Sequence, residues 1–184
     1  MTKGRIAVPL LLVLAISAAV QHHRDPLTDP EINKVRDAAQ LPEIRLKLYV
    51  EFARARLDKL QQVHSDPKAT DRTQQTREAL QAFLDVYDEL NTNVDTFADR
   101  GDDLRKALKP VIEADTEFGS KLRAFKSSLA NSPEEARTYD LLLGSALDAV
   151  DREAKDHRNL LAEQEETLKH KKKQDRKGDS QHSE

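Results

Sequence analysis

The chain contains no cysteine and no tryptophan, and it has few glycines and aromatic residues. Among its 184 residues there are 5 glycines, and aromatic side chains make up 4%. Without cysteine there is neither a disulfide scaffold nor a cysteine-ligated zinc site. So few glycines and tyrosines also disfavour an all-β sandwich.

The chain is rich in helix-forming and charged residues. Charged residues make up 34% of the chain, and Ala, Glu, Lys, Leu and Arg together account for about half of it, a composition typical of long helices. This composition predicts an all-α protein and indicates no particular chemistry.

The first nineteen residues predict an export signal. Lys3 and Arg5 precede an uncharged apolar run over residues 6–20, and Ser17 and Ala19 are small residues suited to a cleavage site. We interpret residues 1–19 as a signal peptide, with Val20 as the first mature residue. The alternative is an uncleaved N-terminal anchor, although the run is shorter than the ~20 residues of a spanning helix. The protein is therefore expected in the periplasm or outside the cell.

Charge is unevenly distributed along the remaining chain. Residues 169–184 carry six basic and three acidic groups, whereas residues 20–168 have a net charge of −8. Because affinity for nucleic acid comes from Lys and Arg contacts to phosphates, an acidic body argues against a nucleic-acid partner.

Proline and capping residues divide the chain into segments. Residues 20–29 are interpreted as a flexible lead-in, residues 30–168 as the bundle domain and residues 169–184 as a disordered basic tail. Thr28 or Asp29 is expected to cap a first short helix, and a second is expected from Pro42 to about His64. Ser132-Pro133 predicts the start of the last helix, which is expected to run to about Lys171.

A heptad pattern dominates the middle of the chain. Steps of four and three connect seam positions at Thr76, Leu80, Phe83, Tyr87, Leu90, Val94, Phe97, Gly101, Leu104, Leu108, Val111, Asp115, Phe118, Leu122, Phe125 and Leu129. Gly101 suggests a turn at residues 100–102, and Pro110 suggests a kink or break. One long kinked helix remains the alternative.

These patterns predict an antiparallel up-down four-helix bundle from Pro42 to Lys171, with the short first helix packed on one end. Short loops are expected to make consecutive helices antiparallel neighbours. A seam of this length leaves homo-oligomer formation open.

Histidines are the first candidates for a functional site. The chain has no Glu-x-x-His pair of the kind found in di-metal bundles. Glu153/His157 and Glu166/His170 instead have the spacing of surface ion pairs. His157 lies on the apolar stripe and is interpreted as a core histidine, and His64 is interpreted as a cap at the C-terminal end of its helix. His22 and His23 fall in the flexible lead-in, so no metal site is predicted.

Carboxylates are the second group of candidates. Asp102/Asp103, Glu113/Glu117 and Glu134/Glu135 lie at helix starts or on solvated faces. Asp115 occupies a seam position, which favours a role in fixing helix register. We therefore predict no catalytic, cofactor-binding or metal-ligating residue, and no enzymatic activity.

The basic segment Lys169–Lys177 is the most suggestive surface feature. We interpret it mainly as a solvated helix end, and weak contact with an anionic envelope surface is the alternative.

One short segment resembles a known family. Leu27-Thr28-Asp29-Pro30-Glu31 is similar to the Leu-Thr-x-x-Gln signature of periplasmic helical stress proteins of the Spy and CpxP type. The similarity covers five residues, has Glu31 in place of Gln, and does not recur, so the family's role is not transferred on it.

The function expected from the sequence is an exported, non-enzymatic helical bundle of the bacterial cell envelope. It would act as a scaffold or protein-interaction module with a protein partner. The alternative is a periplasmic stress protein, either chaperone-like with an exposed apolar groove or metal-responsive through His22, His23, His157 or His170.

Overall fold

The computed structural model describes residues 25–68 and 70–181, and these fold into helices without a strand. This confirms the prediction of an all-α helical bundle. The predicted signal peptide and residues 20–24 of the lead-in lie outside the described residues. Among those that are described, no helix combines the length and apolar character needed to cross a membrane.

Five α-helices follow one another within the described residues. They are α1 (Asp29–Asp37), α2 (Pro42–Ser65), α3 (Arg72–Asp99), α4 (Arg105–Ser128) and α5 (Pro133–Gln181), with a short 3-10 turn at Leu129–Asn131 between α4 and α5. Helices α2 to α5 form the bundle, and α1 packs on α2.

The start of α1 is held by a cluster of hydrogen bonds. Thr28 is the N-cap, and the Glu31 carboxylate accepts hydrogen bonds from the Thr28 N–H at 2.8 Å and from its hydroxyl at 2.9 Å. Arg56 of α2 donates to the same carboxylate at 2.6 Å. Leu27 is buried against the core. The lead-in is therefore ordered from residue 25, and the expectation of flexibility through residue 29 is wrong there.

The heptad seam is buried on both sides of a turn. Its apolar members from Leu80 to Phe97 and from Leu104 to Leu129 lie in the core. Gly101 has a φ of +76°, a left-handed conformation that glycine adopts without steric cost. The predicted turn at residues 100–102 is therefore confirmed, and the single long helix is excluded.

Pro110 lies within α4 and does not interrupt it. A break was one of two outcomes predicted there. Because Pro110 is in the second turn of α4, the helix loses a single backbone hydrogen bond near its start and continues to Ser128.

The order of helices around the bundle differs from a simple meander. Helix α2 packs against α3 and α4, and α5 packs against the same two helices, whereas no Cα of α3 lies within 8 Å of a Cα of α4. Consecutive helices are thus neighbours for α2/α3 and α4/α5, but α3 and α4 lie diagonally opposite. Their aromatic side chains meet across the centre, with the Phe83 and Phe118 rings 5.5 Å apart.

Two of the neighbouring pairs, α2/α4 and α3/α5, are parallel. Along α3 and α5, Tyr139 lies near Thr73 at the start of α3, and Gln164 lies near Asp102 just after its end. Arg54 of α2 pairs with Glu117 of α4, and Asp58 one turn later pairs with Lys121. Because residue numbers increase in the same direction along both helices, α2 and α4 are parallel. The prediction that consecutive helices are neighbours therefore fails at the α3–α4 connection, which crosses the end of the bundle.

Helix α5 is longer than expected. It was predicted to end near Lys171, and the helix continues to Gln181. The tail has no apolar residue to bury, but Lys, Arg and Gln have high helix propensity, so a helix can continue without tertiary packing.

Candidate functional site

Three polar side chains from three helices meet in the middle of the bundle. Tyr87 of α3 donates its hydroxyl hydrogen bond to Oδ1 of Asp115 on α4 at 2.8 Å. Nδ1 of His157 on α5 lies 2.9 Å from Oδ2 of the same carboxylate. The exposed fractions are 0%, 1% and 3%, respectively. We call these three residues the core triad.

The electrostatics of the core triad follow from burial. Burial raises the pKa of Tyr87 far above its ordinary value, and the adjacent Asp115 charge and hydrogen bond raise it further. Tyr87 therefore remains a protonated donor. Since a carboxylate offers only acceptors, we assign the bonded hydrogen to Nδ1 of His157. Both oxygens of Asp115 are then satisfied, as a buried carboxylate requires.

The core triad fixes the diagonal arrangement of the bundle. One carboxylate joins α4 to both α3 and α5, so a slip of any of the three helices by one turn would leave buried polar groups without partners. This is the register role predicted for Asp115, with a partner set that the prediction did not include. General acid–base work requires a substrate proton within hydrogen-bond reach, and these groups are instead bonded to one another.

The two predicted glutamate–histidine pairs have different outcomes. Glu166 and His170 lie 3.8 Å apart on the exposed side of α5, as their spacing predicts. Glu153 instead pairs with Arg152 at 2.9 Å, while His157 turns inward to Asp115. The surface pair Glu153/His157 is therefore wrong, because the core position of His157 outweighs its helical spacing to Glu153.

His64 lies in the last turn of α2, next to α4. Its ring packs edge-on against Phe125, with centroids 5.0 Å apart. Nδ1 has no hydrogen-bond partner and lies 3.7 Å from Oε1 of Glu135. Both rings line a crevice of about 200 Å³ between α2 and α4, beside Lys121. His64 therefore packs against an aromatic ring rather than capping the helix.

The predicted carboxylate pairs take part in surface ion pairs. Hydrogen bonding from Arg105 lowers the pKa of Asp103 to about 2. Glu117 accepts hydrogen bonds from Arg54 at 2.8–3.1 Å, and this contact also lowers its pKa. Glu135 lies 3.4 Å from Arg72. Glu117 and Glu135 each connect two segments of the chain, which stabilises the fold, whereas Asp103 pairs with a residue two positions away.

Within residues 25–68 and 70–181, no group of three or more His, Asp or Glu side chains is placed to bind a metal ion. His22 and His23 lie outside the described residues. His157, the third candidate of the metal-responsive alternative, is bonded to Asp115 within the core.

Gln164 is a polar contact that sequence reasoning missed. Its Oε1 accepts a hydrogen bond from the Leu104 N–H at 2.8 Å, and its Nε2 donates to the Asp102 carbonyl at 3.0 Å. One side chain thus holds the α3–α4 connection against α5. Its position in the stripe of His157, Leu161 and Leu168 was the available signal, since a polar residue at an inner position requires a partner.

The C-terminal part of α5 forms a second candidate site. Lys171 lines a crevice beside the α3–α4 connection, together with Gly101 and Leu168. The helix then continues for ten residues to Gln181, or about 15 Å at 1.5 Å per residue. We call residues 169–181 the basic extension, since they include six basic and two acidic residues.

No protein-family model matches this chain, and neither a curated protein nor a solved structure shows a significant match to it.

Proposed function

We propose that the protein is an exported, non-enzymatic interaction module that binds another protein through the basic extension of α5. The carrying observation is the contrast between the two candidate sites. The core triad is buried and internally bonded, whereas α5 continues past the crevice at the end of the bundle with a strongly basic sequence.

The distribution of charge supports a binding role for the basic extension. The segment has no apolar residue, so a contribution to the core does not explain its composition. Clustered lysines on an exposed helix attract anionic surfaces and accelerate association. The bundle then acts as a rigid base for this helix, consistent with a scaffold.

Site-specific photo-crosslinking in cells that express the full chain tests the proposal. A photoreactive residue replaces Lys173 in the basic extension or, as a control, Lys109, which is exposed on α4. We expect a discrete protein adduct from position 173 and none from position 109. Equal adduct patterns from both positions, or no adduct at 173, would contradict the proposal.

Export is tested on the same cells. The protein recovered from the envelope fraction is expected to have a mass that corresponds to a chain starting at Val20. A full-length chain confined to the cytoplasm would refute export and leave the binding proposal to be judged by the crosslinks.

A further inference from the structure

We propose that the protein self-associates, with the basic extension of one copy lying along the outer face of α3 of a second copy. The inference rests on the proposed function, because it names a partner for the same exposed helix.

Beyond the arginines of its first two turns, the outer face of α3 carries charge of only one sign. Between residues 78 and 99 the helix has six acidic residues and no basic one: Glu78, Asp85, Asp88, Glu89, Asp95 and Asp99. At 3.6 residues per turn they fall within about a third of the helix circumference, which places them on one side of the helix. Each is exposed or half-buried, and the opposite side faces the core. The face extends over about 32 Å.

These carboxylates have no cationic partner within the described part of the chain. Glu78 and Asp85 accept hydrogen bonds from the neutral amides of Gln74 and Gln81. Elsewhere on the bundle, surface carboxylates such as Glu117 and Glu135 contact an arginine. Burial and then the neighbouring charges of Asp85 and Glu153 raise the pKa of Asp88, and the charge of Arg152 on α5 offsets part of this effect.

The basic extension is complementary to this face in charge and in spacing. Lys169, Lys172, Lys173, Arg176 and Lys177 recur at steps of one, three and four residues. Acidic and basic residues are mixed in α2 and α4, and the acidic stretches of α5 hold at most three acidic residues each, so α3 is the helix whose outer face matches a basic helix best. Helix α5 runs parallel to its neighbour α3, and the basic extension continues beyond the end of the bundle. Within one copy, the basic extension therefore lies past the end of α3 and does not run alongside it. The contact is therefore assigned to two copies.

Reciprocal charge reversal tests this pairing on protein purified from cells that express the full chain. One variant changes Lys169, Lys172 and Lys173 to Glu, and the other changes Asp85, Asp88 and Asp95 to Lys. A control variant changes the exposed Lys59, Lys106 and Lys155 to Glu. Circular dichroism checks that each variant is folded, and sedimentation velocity gives the mass.

The wild type and the control are expected to associate at low ionic strength. They should dissociate in 1 M salt, where the screening length is about 3 Å. Each reversal variant alone should be monomeric. The extension variant then has a net negative extension that is repelled by its acidic α3 face, and the α3 variant has three lysines that cancel the charge of the three remaining acidic residues. Mixing the two variants should restore association, because the unchanged basic extension of the α3 variant again meets the unchanged acidic face of the extension variant.

A wild type that stays monomeric at low salt, or a mixture of variants that stays monomeric, would overturn the pairing. So would a monomer that co-sediments with anionic vesicles and loses this binding on reversal of the extension, since the ligand would then be a lipid surface. The experiment contains only this protein, so its failure leaves the crosslinking test of an external partner unaffected.

Discussion

Substitution of Asp115 by Leu is expected to remove the acceptor that joins three helices. Tyr87 and His157 would each keep a buried donor without a partner, at a cost of about 1–3 kcal/mol each. Breaking a buried pair by removal of one member costs about 3–5 kcal/mol. We expect the free energy of unfolding to fall by about 3–5 kcal/mol, a large part of the ~5–15 kcal/mol typical of domains.

A double-mutant cycle tests this reasoning by urea unfolding followed by circular dichroism. Tyr87→Phe alone should cost about 1.5–3 kcal/mol, because it removes a hydrogen bond to a charged group. In the Asp115→Leu background the same change should be neutral or stabilising, because it removes an orphaned hydroxyl. The expected coupling exceeds about 1 kcal/mol.

Tyr139 provides a matched control within the same core. It is also 0% exposed, but its hydroxyl lies at 3.5 Å from the Thr73 carbonyl, the limit of a hydrogen bond. Tyr139→Phe should cost less than about 1 kcal/mol and be additive with Asp115→Leu. Additive behaviour of Tyr87→Phe as well would refute the role of the core triad.

Three further predictions concern the connections of the bundle. Gly101→Ala should lower the free energy of unfolding by about 1–2 kcal/mol because of the positive φ at this position. Gly144→Ala should raise it by up to about 1 kcal/mol, since an added Cβ there meets no atom within 4 Å. Thermal melting should show a lower midpoint for the first variant and a higher one for the second. Gln164→Ala should cost about 1–2 kcal/mol by loss of two hydrogen bonds and increase hydrogen exchange at the Leu104 amide. Since Arg105 lowers the pKa of Asp103 to about 2, the Asp103 contribution is present above about pH 4 and lost as the pH falls toward 2. Because Asp103 is exposed, that contribution is below about 1 kcal/mol. In a plot of the free energy of unfolding against pH, Asp103→Asn should make the decrease between about pH 4 and pH 2 less steep and leave the shape near neutral pH unchanged.

The sequence was sufficient to predict the helices and most of the core. Heptad spacing identified the seam from Leu80 to Leu129, and Gly101 marked its turn, because amphipathic periodicity and glycine conformation are local properties. The diagonal position of α3 and α4 was not predictable in this way. A five-residue connection permits neighbouring or diagonal packing, and the choice depends on how Phe83 and Phe118 fill the centre.

The candidate sites show the same difference between local patterns and contacts that are distant in sequence. Asp115 and His157 were each recognised as polar residues at inner positions, but their contact joins residues 42 apart in sequence, and no local pattern specifies it. The end of α5 lies ten residues beyond the predicted Lys171, because amphipathic periodicity does not mark a helical segment that has no apolar residue.

The central claim is that binding takes place on the outside of the bundle and that its buried polar groups serve the fold. The most direct measurement is the crosslink yield at position 173 in a chain with Tyr87→Phe, Asp115→Leu and His157→Leu, compared with a chain in which Lys169, Lys171 and Lys172 are changed to Gln. Since replacement of a whole buried polar network by apolar residues is often neutral or stabilising, the first chain is expected to fold and retain its adduct, and the second to lose it. Loss of the adduct in a folded first chain, with retention in the second, would contradict the account.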